Sequence, residues 1–332
     1  MAYYGSIYIV IIVGRFIMKP IVSVIIPAYN ASKTIDKCLD SVLSQTIGNV
    51  EVIVINDNST DDTLEKINKY KNRIILINNK KNLGPAASRN KGLDKATGTY
   101  IGFVDSDDYI SPRMYEEMVK YMSDDVDLVC CGRFNVTKSG MSPVINTSTE
   151  TDVHKFSVTS NYNTDKLFKS SIIKKNKLRL PENYKYAEDF AFLIRYKYYA
   201  NKMHIIPEPY YYYLTDSEGS ITNSYDENLL KIIDVLQEMV DFFKDKGDFE
   251  KYEKELVTLC AGFYVRRTRE FKYFDDVELQ KEYVRRFLDF FKKNFKHYVH
   301  AVNGFKTKFY RPYRCSYLLM MIYIKIQQMN RK

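Results

Sequence analysis

Three carboxylates follow directly after an apolar run in the first half of the chain. Asp105, Asp107 and Asp108 come after YIGFV (residues 100–104), which predicts a buried strand that ends where the acids begin. Acids crowded at one strand end repel each other, so we expect a cation among them. Oxygen ligands suit Mg²⁺ or Mn²⁺, and a metal held by few carboxylates commonly completes its shell with substrate phosphate. The alternative for this segment alone is a solvated acidic turn.

Alternating strand and helix patterns surround this segment. This alternation predicts an α/β fold with a mostly parallel sheet and helices on both of its faces. In such sheets ligands bind beyond the carboxyl ends of the strands. Neither G-x-G-x-x-G nor G-x-x-x-x-G-K-[ST] occurs, which removes the simplest dinucleotide and P-loop sites. The predicted strands are 21–27, 50–55, 73–77, 100–104 and 126–131, and the predicted helices are 32–46, 61–70 and one that begins at Pro85.

A basic, aromatic-rich region follows from about residue 223. Its periodicity predicts helices at 228–244, 252–272 and 277–299. From residue 261 to the end there are 17 basic and 6 acidic residues, whereas the rest of the chain has 33 basic and 35 acidic residues. The net charge of +9 therefore belongs to the C-terminal region and predicts an anionic surface as its partner. Ordinary helix packing is the alternative.

The cysteine pattern indicates a reduced, cytoplasmic chain. The five cysteines are odd in number and show no C-x-x-C spacing, which argues against both a disulfide framework and structural zinc.

Residues 1–18 carry a short apolar run at 7–13. This run is shorter than the ~20 residues that span a bilayer, and no basic segment precedes it. We interpret residues 1–18 as a dispensable extension, with Met18 as a possible true start. A weak membrane contact is the alternative.

Five sequence blocks, in their order and spacing, resemble glycosyltransferase family 2, the inverting nucleotide-sugar enzymes of the A-type glycosyltransferase (GT-A) fold. The resemblance covers about residues 20–222 and implies a GT-A domain at 19–222, between the extension at 1–18 and a helical region at 223–332. The blocks are VSVIIPAYN (22–30), VIVINDNSTDDT (52–63), NLGPAASRNKGLDKATGTYIGFVDSDD (82–108), KLF (166–168) and AEDF (187–190).

The resemblance implies a nucleotide site at the ends of the first strands. Tyr29 resembles the residue that stacks on the base, and an aromatic face suits a flat uracil. Asp57 matches the acid that accepts the base N–H. Pro27 and Ser106 are expected beside the nucleotide. Arg89 matches a basic position near the phosphates, with a helix-surface ion pair as the alternative.

The resemblance also implies a metal site and a catalytic base. Asp105 and Asp107 resemble the D-x-D motif, in which Asp107 binds Mn²⁺ or Mg²⁺ and Asp105 reaches the ribose or the metal shell. Asp108 is expected to support these acids or to cap a helix. Glu188 and Asp189 resemble the family's E-D pair, in which Asp189 takes the proton of the acceptor hydroxyl and Glu188 orients it or binds acceptor.

Two further segments carry expectations. Lys166 is a candidate for contact with phosphate or acceptor. The segment 210–222 resembles the strand and loop before a flexible lid, where the family often has Arg or His; Leu214 and Thr215 leave the pyrophosphate contact open.

The resulting prediction is an inverting glycosyltransferase. It moves a hexose or N-acetylhexosamine from a UDP-sugar to a glycan acceptor, often lipid-linked, in surface polysaccharide synthesis such as that of a capsule. Its C-terminal region attaches peripherally to the inner face of the membrane. No nucleic-acid motif is present, so no nucleic-acid partner is expected.

Two other classes of protein are alternatives. A sugar-1-phosphate nucleotidyltransferase needs a Gly-rich basic loop after the first strand, and PAYNASKT lacks both glycine and arginine. A non-catalytic sugar-nucleotide-binding scaffold would lack the base, whereas Asp189 is present.

Overall fold

The computed structural model describes residues 19–184, 187–215, 230–270 and 276–295. The predictions for residues 1–18, for the lid loop after Thr215 and for the basic residues from 296 onward lie outside these ranges.

One sheet connects the described residues between Val22 and Leu214. Six of its strands run in the same direction, and three run opposite to them. The strands are β1 Val22–Ala28, β2 Val50–Asn56, β3 Ile75–Asn78, β4 Tyr100–Phe103, β5 Tyr109–Ile110, β6 Val126–Thr137, β7 Gly140–Val144, β8 Lys166–Lys169 and β9 Lys202–Leu214. Their order is β3-β2-β1-β4-β8-β6-β9-β5, with β7 paired to β6, and the reversed strands are β5, β7 and β8.

The helices divide between the sheet and the C-terminal region. Packing of α1 and α3 on either side of β1 and β2 gives the layered α/β arrangement. The helices are α1 Ile35–Leu43, α2 Thr63–Asn68, α3 Pro85–Lys95, α4 Met114–Val119, α5 Ser170–Lys175, α6 Glu188–Tyr199, α7 Lys231–Asp245, α8 Phe249–Glu270 and α9 Val277–Asn294.

The predicted fold is confirmed: the protein is α/β, with a mostly parallel sheet followed by helices. The structure adds elements that the sequence patterns did not indicate, namely the short strands β5, β7 and β8 and the helices α4 and α5. The predicted strand at 126–131 continues to Thr137, because its second half pairs with both β7 and β9.

Two glycines position helix α3 against the sheet. Gly84 has φ = 87°, a left-handed conformation that glycine adopts without steric cost, and it precedes Pro85 at the helix start. A Cβ at Gly92 would collide with the side chain of Ile25 on β1. The glycine therefore allows the close approach that fixes where the rest of the helix lies.

The C-terminal helices pack on the back of α6. One apolar core joins Phe190 and Ile194 of α6 to side chains of α7, α8 and α9, such as Leu236, Leu256 and Phe287. Ala187, directly before the predicted E-D pair, also packs against this core. The helical region thus holds the element that carries the two acids.

Candidate active site

Charged side chains gather at the carboxyl ends of the central strands. Asp57 follows β2 directly, and the acids at 105–108 follow β4 after Val104. Glu188 and Asp189 form the first turn of α6. The sheet thereby brings three of the sequence-predicted blocks to one edge, as expected for an open α/β sheet.

Arg89 connects these blocks. Its side chain is only 5% exposed, and its guanidinium lies 2.6 Å from Asp105 Oδ1, 3.2 Å from Glu188 Oε1 and 3.3 Å from Asp189 Oδ1. Burial alone would lower the pKa of Arg89, but the three carboxylates raise it above its ordinary value, so the residue is charged. The expected alternative of a helix-surface ion pair is wrong, because the ion pairs are buried.

Asp189 has an unusually high pKa for a carboxylic acid. Burial, followed by the charges of Glu188 and Asp105, raises its pKa to about 7, although Arg89 opposes the shift. Its Oδ1 accepts a hydrogen bond of 3.0 Å from Asn163 Nδ2. A carboxyl group with a pKa near neutrality can both accept and release a proton, which suits a general base.

Asp57 fixes the loop that enters α3. Its carboxylate accepts hydrogen bonds from Asn79 Nδ2 at 2.7 Å, from the Leu83 N–H at 2.9 Å and from the Gly84 N–H at 2.8 Å. Asp57 is 3% exposed, so these bonds take up most of its accepting capacity. The loop it holds leads into α3 and thus to Arg89.

Tyr29 and Pro27 lie beside Asp57. The Asp57 N–H donates to the carbonyl of Ala28 at 2.8 Å, which brings the end of β1 next to the end of β2. Tyr29 is 48% exposed, one of the few large apolar side chains that face solvent. An open aromatic face at a strand end can stack on a planar ring.

Residues 105–108 form a loop, here called the acidic loop, that Tyr211 of β9 holds by hydrogen bonds. Tyr211 Oη donates to Asp108 Oδ2 at 2.5 Å and accepts from the Asp105 N–H at 3.2 Å, while the Leu214 N–H donates to Asp108 Oδ1 at 2.8 Å. Burial, then Asp105 and Asp107, raise the pKa of Asp108. Asp108 therefore supports the loop. The expected alternative of a helix cap is wrong, since α4 begins at Met114.

The remaining acids of the loop fit a divalent cation in chemistry. Asp105 is 32% exposed on its side chain, and both Asp107 and Ser106 are half-buried. Within the described ranges, no three His, Cys, Asp or Glu side chains converge as a ready metal cage. Two hard oxygen donors without a third protein ligand suit a cation that takes its other ligands from a diphosphate.

Lys166 is buried and holds the loop that precedes it. It is fully buried, and its ammonium donates to Asp165 Oδ1 at 2.6 Å, Tyr162 O at 2.6 Å and Ser160 Oγ at 2.7 Å. These acceptors use its three N–H groups. In this geometry Lys166 stabilises the loop 160–165, and its expected contact with phosphate or acceptor stays a prediction.

Asn163 and Tyr211 are site residues that the sequence reasoning missed. Asn163 holds Asp189 from 26 positions away, and Tyr211 holds Asp108 from 103 positions away. No local motif carries such contacts. The alternation within the YYYY run at 210–213 was the available signal, since every second side chain of a strand faces the same side.

Comparison with known proteins shows the family of this chain. The family model described as glycosyl transferase family 2 matches residues 23–199. EpsH of Bacillus subtilis (strain 168), described as a glycosyltransferase, is 31% identical over 258 residues, which cover 73% of this chain and 74% of EpsH.

A second relative is longer than this chain. The poly(ribitol-phosphate) β-N-acetylglucosaminyltransferase TarS of Staphylococcus aureus (strain Mu50) is 28% identical over 287 residues, covering 81% of this chain and about half (48%) of TarS. The crystal structure of S. aureus TarS 1–349 in complex with UDP-GlcNAc matches with a TM-score of 0.74 at 23% identity, covering 93% of this chain and 88% of that one. This match establishes the shared fold.

Proposed function

The chain belongs to glycosyl transferase family 2 and is a glycosyltransferase; on that premise, we propose that it transfers a hexose or N-acetylhexosamine from a UDP-sugar to a glycan with inversion at the anomeric carbon. One observation carries the proposal. Arg89 pairs with Asp105 of the acidic loop and with both acids of α6, so the acid proposed to bind the donor and the proposed base lie around one guanidinium.

The nucleotide half of the site uses the ends of β1 and β2. Tyr29 stacks on the uracil, with Pro27 beside it, and Asp57 accepts from the base. The exposed ring of Tyr29 and the strand-end position of Asp57 support these roles. TarS, whose structure was determined with UDP-GlcNAc, shares the fold, which supports a UDP-sugar as the donor class.

Asp105 and Asp107 hold Mn²⁺ or Mg²⁺ in this proposal, and Ser106 lies between them beside the nucleotide. When bound, the cation offsets the negative charge that develops on the departing nucleoside diphosphate. Arg89 pairs with Asp105 and holds the position of its carboxylate, while Tyr211 and Asp108 fix the loop through their hydrogen bonds.

Asp189 is the base of the transfer. It takes the proton from the acceptor hydroxyl as the oxygen forms a bond to the anomeric carbon, and the bond from that carbon to the phosphate oxygen breaks on the opposite side. One displacement gives inversion. Glu188, which shares Arg89 with Asp189, orients the base or contacts the acceptor.

The acceptor is a growing glycan of a surface polysaccharide such as a capsule, often lipid-linked. The family and the names of the relatives support this pathway class. No helix within the described ranges is long and apolar enough to cross a membrane. We propose peripheral attachment to the inner face of the membrane through the basic C-terminal residues, which count 17 basic and 6 acidic side chains from 261 onward.

Hydrolysis of a UDP-sugar panel tests the donor class. With Mn²⁺ present, one UDP-sugar is expected to turn over slowly, and EDTA or the variant Asp107→Ala removes this turnover. Absence of binding to every UDP-sugar would overturn the proposal and favour a scaffold. Release of pyrophosphate from UTP and a sugar 1-phosphate would instead identify a nucleotidyltransferase.

A further inference from the structure

A second group of polar and aromatic side chains lies beside Asp189, outside the residues that any motif assigns. We name it the acceptor cluster: Arg133, Asn135, Tyr162, Asn163 and Tyr213. Its link to the base is direct, because Asn163 Nδ2 donates to Asp189 Oδ1 at 3.0 Å. Tyr162 precedes Asn163 in the chain and packs against Arg133.

The guanidinium of Arg133 packs against two tyrosine rings. Its guanidinium carbon lies 4.5 Å from the centroid of Tyr162 and 5.0 Å from that of Tyr213, and the two rings are 6.3 Å apart. Within the described residues no carboxylate pairs with Arg133. Stacking fixes the plane of the guanidinium and leaves its edge available for a ligand.

Buried polar atoms without a protein partner concentrate in this cluster. Arg133 Nε, Asn135 Oδ1 and Asn163 Oδ1 are buried and have no hydrogen-bond partner among the described residues. Asn163 is 0% exposed, so its lone carbonyl oxygen carries the full cost of desolvation. Most buried polar groups in proteins are paired, so three unpaired atoms in one cluster call for an explanation.

The register of the sheet joins these atoms on one surface. Arg133 pairs with Tyr211 and Asn135 with Tyr213 across β6 and β9, and alternate residues of a strand face the same side. Tyr211 contacts the acidic loop. The surface that carries Arg133 and Asn135 therefore borders the catalytic cleft.

Asp189 contacts the donor acids and the acceptor cluster through two different neighbours. Asp189 Oδ1 contacts Arg89, which leads to Asp105, and also Asn163, which leads to Tyr162 and Arg133. An acceptor in an in-line displacement approaches from the side opposite the leaving diphosphate. The Asn163 side of the base is thus the side that the acceptor must use.

We propose that the acceptor cluster binds an acceptor that carries an oxyanion, a phosphodiester or a carboxylate, close to the attacking hydroxyl. This inference rests on the proposed transferase function and adds the chemical class of the acceptor. The edge of Arg133, including its unpaired Nε–H, binds two oxygens of the anion side by side. The tyrosine faces pack on the carbon skeleton, and Asn163 and Asn135 accept from hydroxyl groups.

Three acceptor probes test the proposal with the full-length enzyme and its best UDP-sugar. They are a glycerol phosphate oligomer, a hexagalacturonate and the neutral maltohexaose. Binding is measured by calorimetry in the presence of UDP and Mn²⁺, and transfer is measured as KM and kcat. At least one anionic probe is expected to bind roughly tenfold more tightly than maltohexaose, and the better of the two identifies phosphate or carboxylate. Equal or stronger binding of maltohexaose would overturn the proposal.

The variant Arg133→Ala sharpens this test. Loss of a charge-assisted, bidentate contact raises the KM of the anionic acceptor roughly 10- to 100-fold. The KM of the donor shifts less than twofold. Arg133→Lys keeps the charge but lacks the paired N–H donors of the guanidinium, so it should recover part of the loss. This variant also keeps the test informative if Arg133→Ala does not fold.

Arg195→Ala is the matched control. Arg195 also lies over an aromatic ring, that of Phe242 at 6.0 Å, but it belongs to the far end of α6 and pairs with Glu238. Both KM values should stay near those of the wild type. If Arg133→Ala raises the donor KM as much as the acceptor KM, the cluster serves the donor and the proposal is wrong. Failure of the transferase function itself is separate, because the unmodified enzyme would then bind no UDP-sugar.

Discussion

The α/β region and the helical region bury different kinds of side chain. In the α/β region Asp57, Arg89, Asp108 and Lys166 are all less than 5% exposed. In the described part of the helical region, the buried polar side chains are the uncharged Thr268, Gln280 and Asn294. Rings such as Phe243 and Phe287 fill the rest of its core.

This difference distinguishes the region that carries the reactive groups from the region that stabilises it. Burying a charged side chain costs free energy unless an opposite charge pairs with it. A concentration of buried, paired charges at the strand ends therefore indicates a functional site. The helical core has no such cost and packs on α6, where Phe190 meets Phe263 at 4.6 Å between ring centroids. The comparison predicts that changes to the buried charged side chains at the strand ends alter catalysis, whereas changes to the helical core alter stability alone.

Arg89→Met should have the largest effect. It leaves Asp105, Glu188 and Asp189 without their shared cation, so we expect a loss of about 3–5 kcal/mol in unfolding free energy and at least ~100-fold in kcat/KM. Thermal unfolding and donor hydrolysis measure the two losses. Arg89→Lys retains the charge and keeps the experiment informative if the first variant does not fold.

Arg179→Met is the matched control for Arg89. Arg179 pairs with Asp94 at 2.5 Å, but its side chain is 45% exposed, and surface ion pairs contribute about 0–1 kcal/mol. A loss as large as that of Arg89→Met would contradict the assignment of Arg89 as the centre of the site.

Tyr211→Phe should have an intermediate effect that is specific to the cation. Removing the hydroxyl frees Asp108 and the Asp105 N–H, which loosens the acidic loop. We expect the Mn²⁺ concentration for half-maximal activity to rise roughly tenfold, as loss of about 1–1.5 kcal/mol implies.

Tyr196→Phe controls for the general cost of a lost buried hydroxyl. Tyr196 is equally buried, donates to Asp127 O at 2.5 Å and accepts from the Lys169 N–H at 2.8 Å, away from the cleft. Both variants should lose similar stability, but Tyr196→Phe should keep the Mn²⁺ requirement of the wild type. If the Mn²⁺ concentration for half-maximal activity rose equally in both variants, Tyr211 would have no specific role at the cation site.

Phe243→Ala should have the smallest effect on catalysis. Phe243 is 0% exposed and packs against Phe156, Tyr198 and Tyr252, so its loss costs about 3–5 kcal/mol of stability. Well below the unfolding temperature, kcat should stay within about twofold, since the ring touches no site residue. Phe103→Ala, at the end of β4 ahead of the acids, should lose comparable stability and also activity. A tenfold fall in kcat for folded Phe243→Ala would break the division between the two regions.

The sequence predicted the parts of the site that depend on strand ends and ordered motifs. Asp57 and the acids after β4 follow apolar runs, so their position at the sheet edge could be anticipated. Glu188 and Asp189 open a helix that the AEDF block marks. The roles of these residues in catalysis stay predictions until the variants are measured.

The remainder depends on contacts between distant segments. The predicted phosphate role of Arg89 did not anticipate its three carboxylate partners, which come from β4 and α6. Lys166 was expected at a ligand from its place in the KLF block, which does not indicate that the folded loop 160–165 buries its ammonium and provides its acceptors. Such pairings follow from the tertiary fold and leave no local period in the sequence.

The most direct test of the account compares wild type and Asp189→Asn in donor binding and in transfer across pH. The variant is expected to bind the UDP-sugar within threefold of the wild type but to transfer it about 10²- to 10⁴-fold more slowly. For the wild type, kcat/KM should fall about tenfold per pH unit below about 7, where Asp189 becomes protonated, and should level off above it. Transfer by Asp189→Asn at the wild-type rate, or a flat wild-type profile from about pH 5.5 to 8.5, would contradict the assignment of Asp189 as the base.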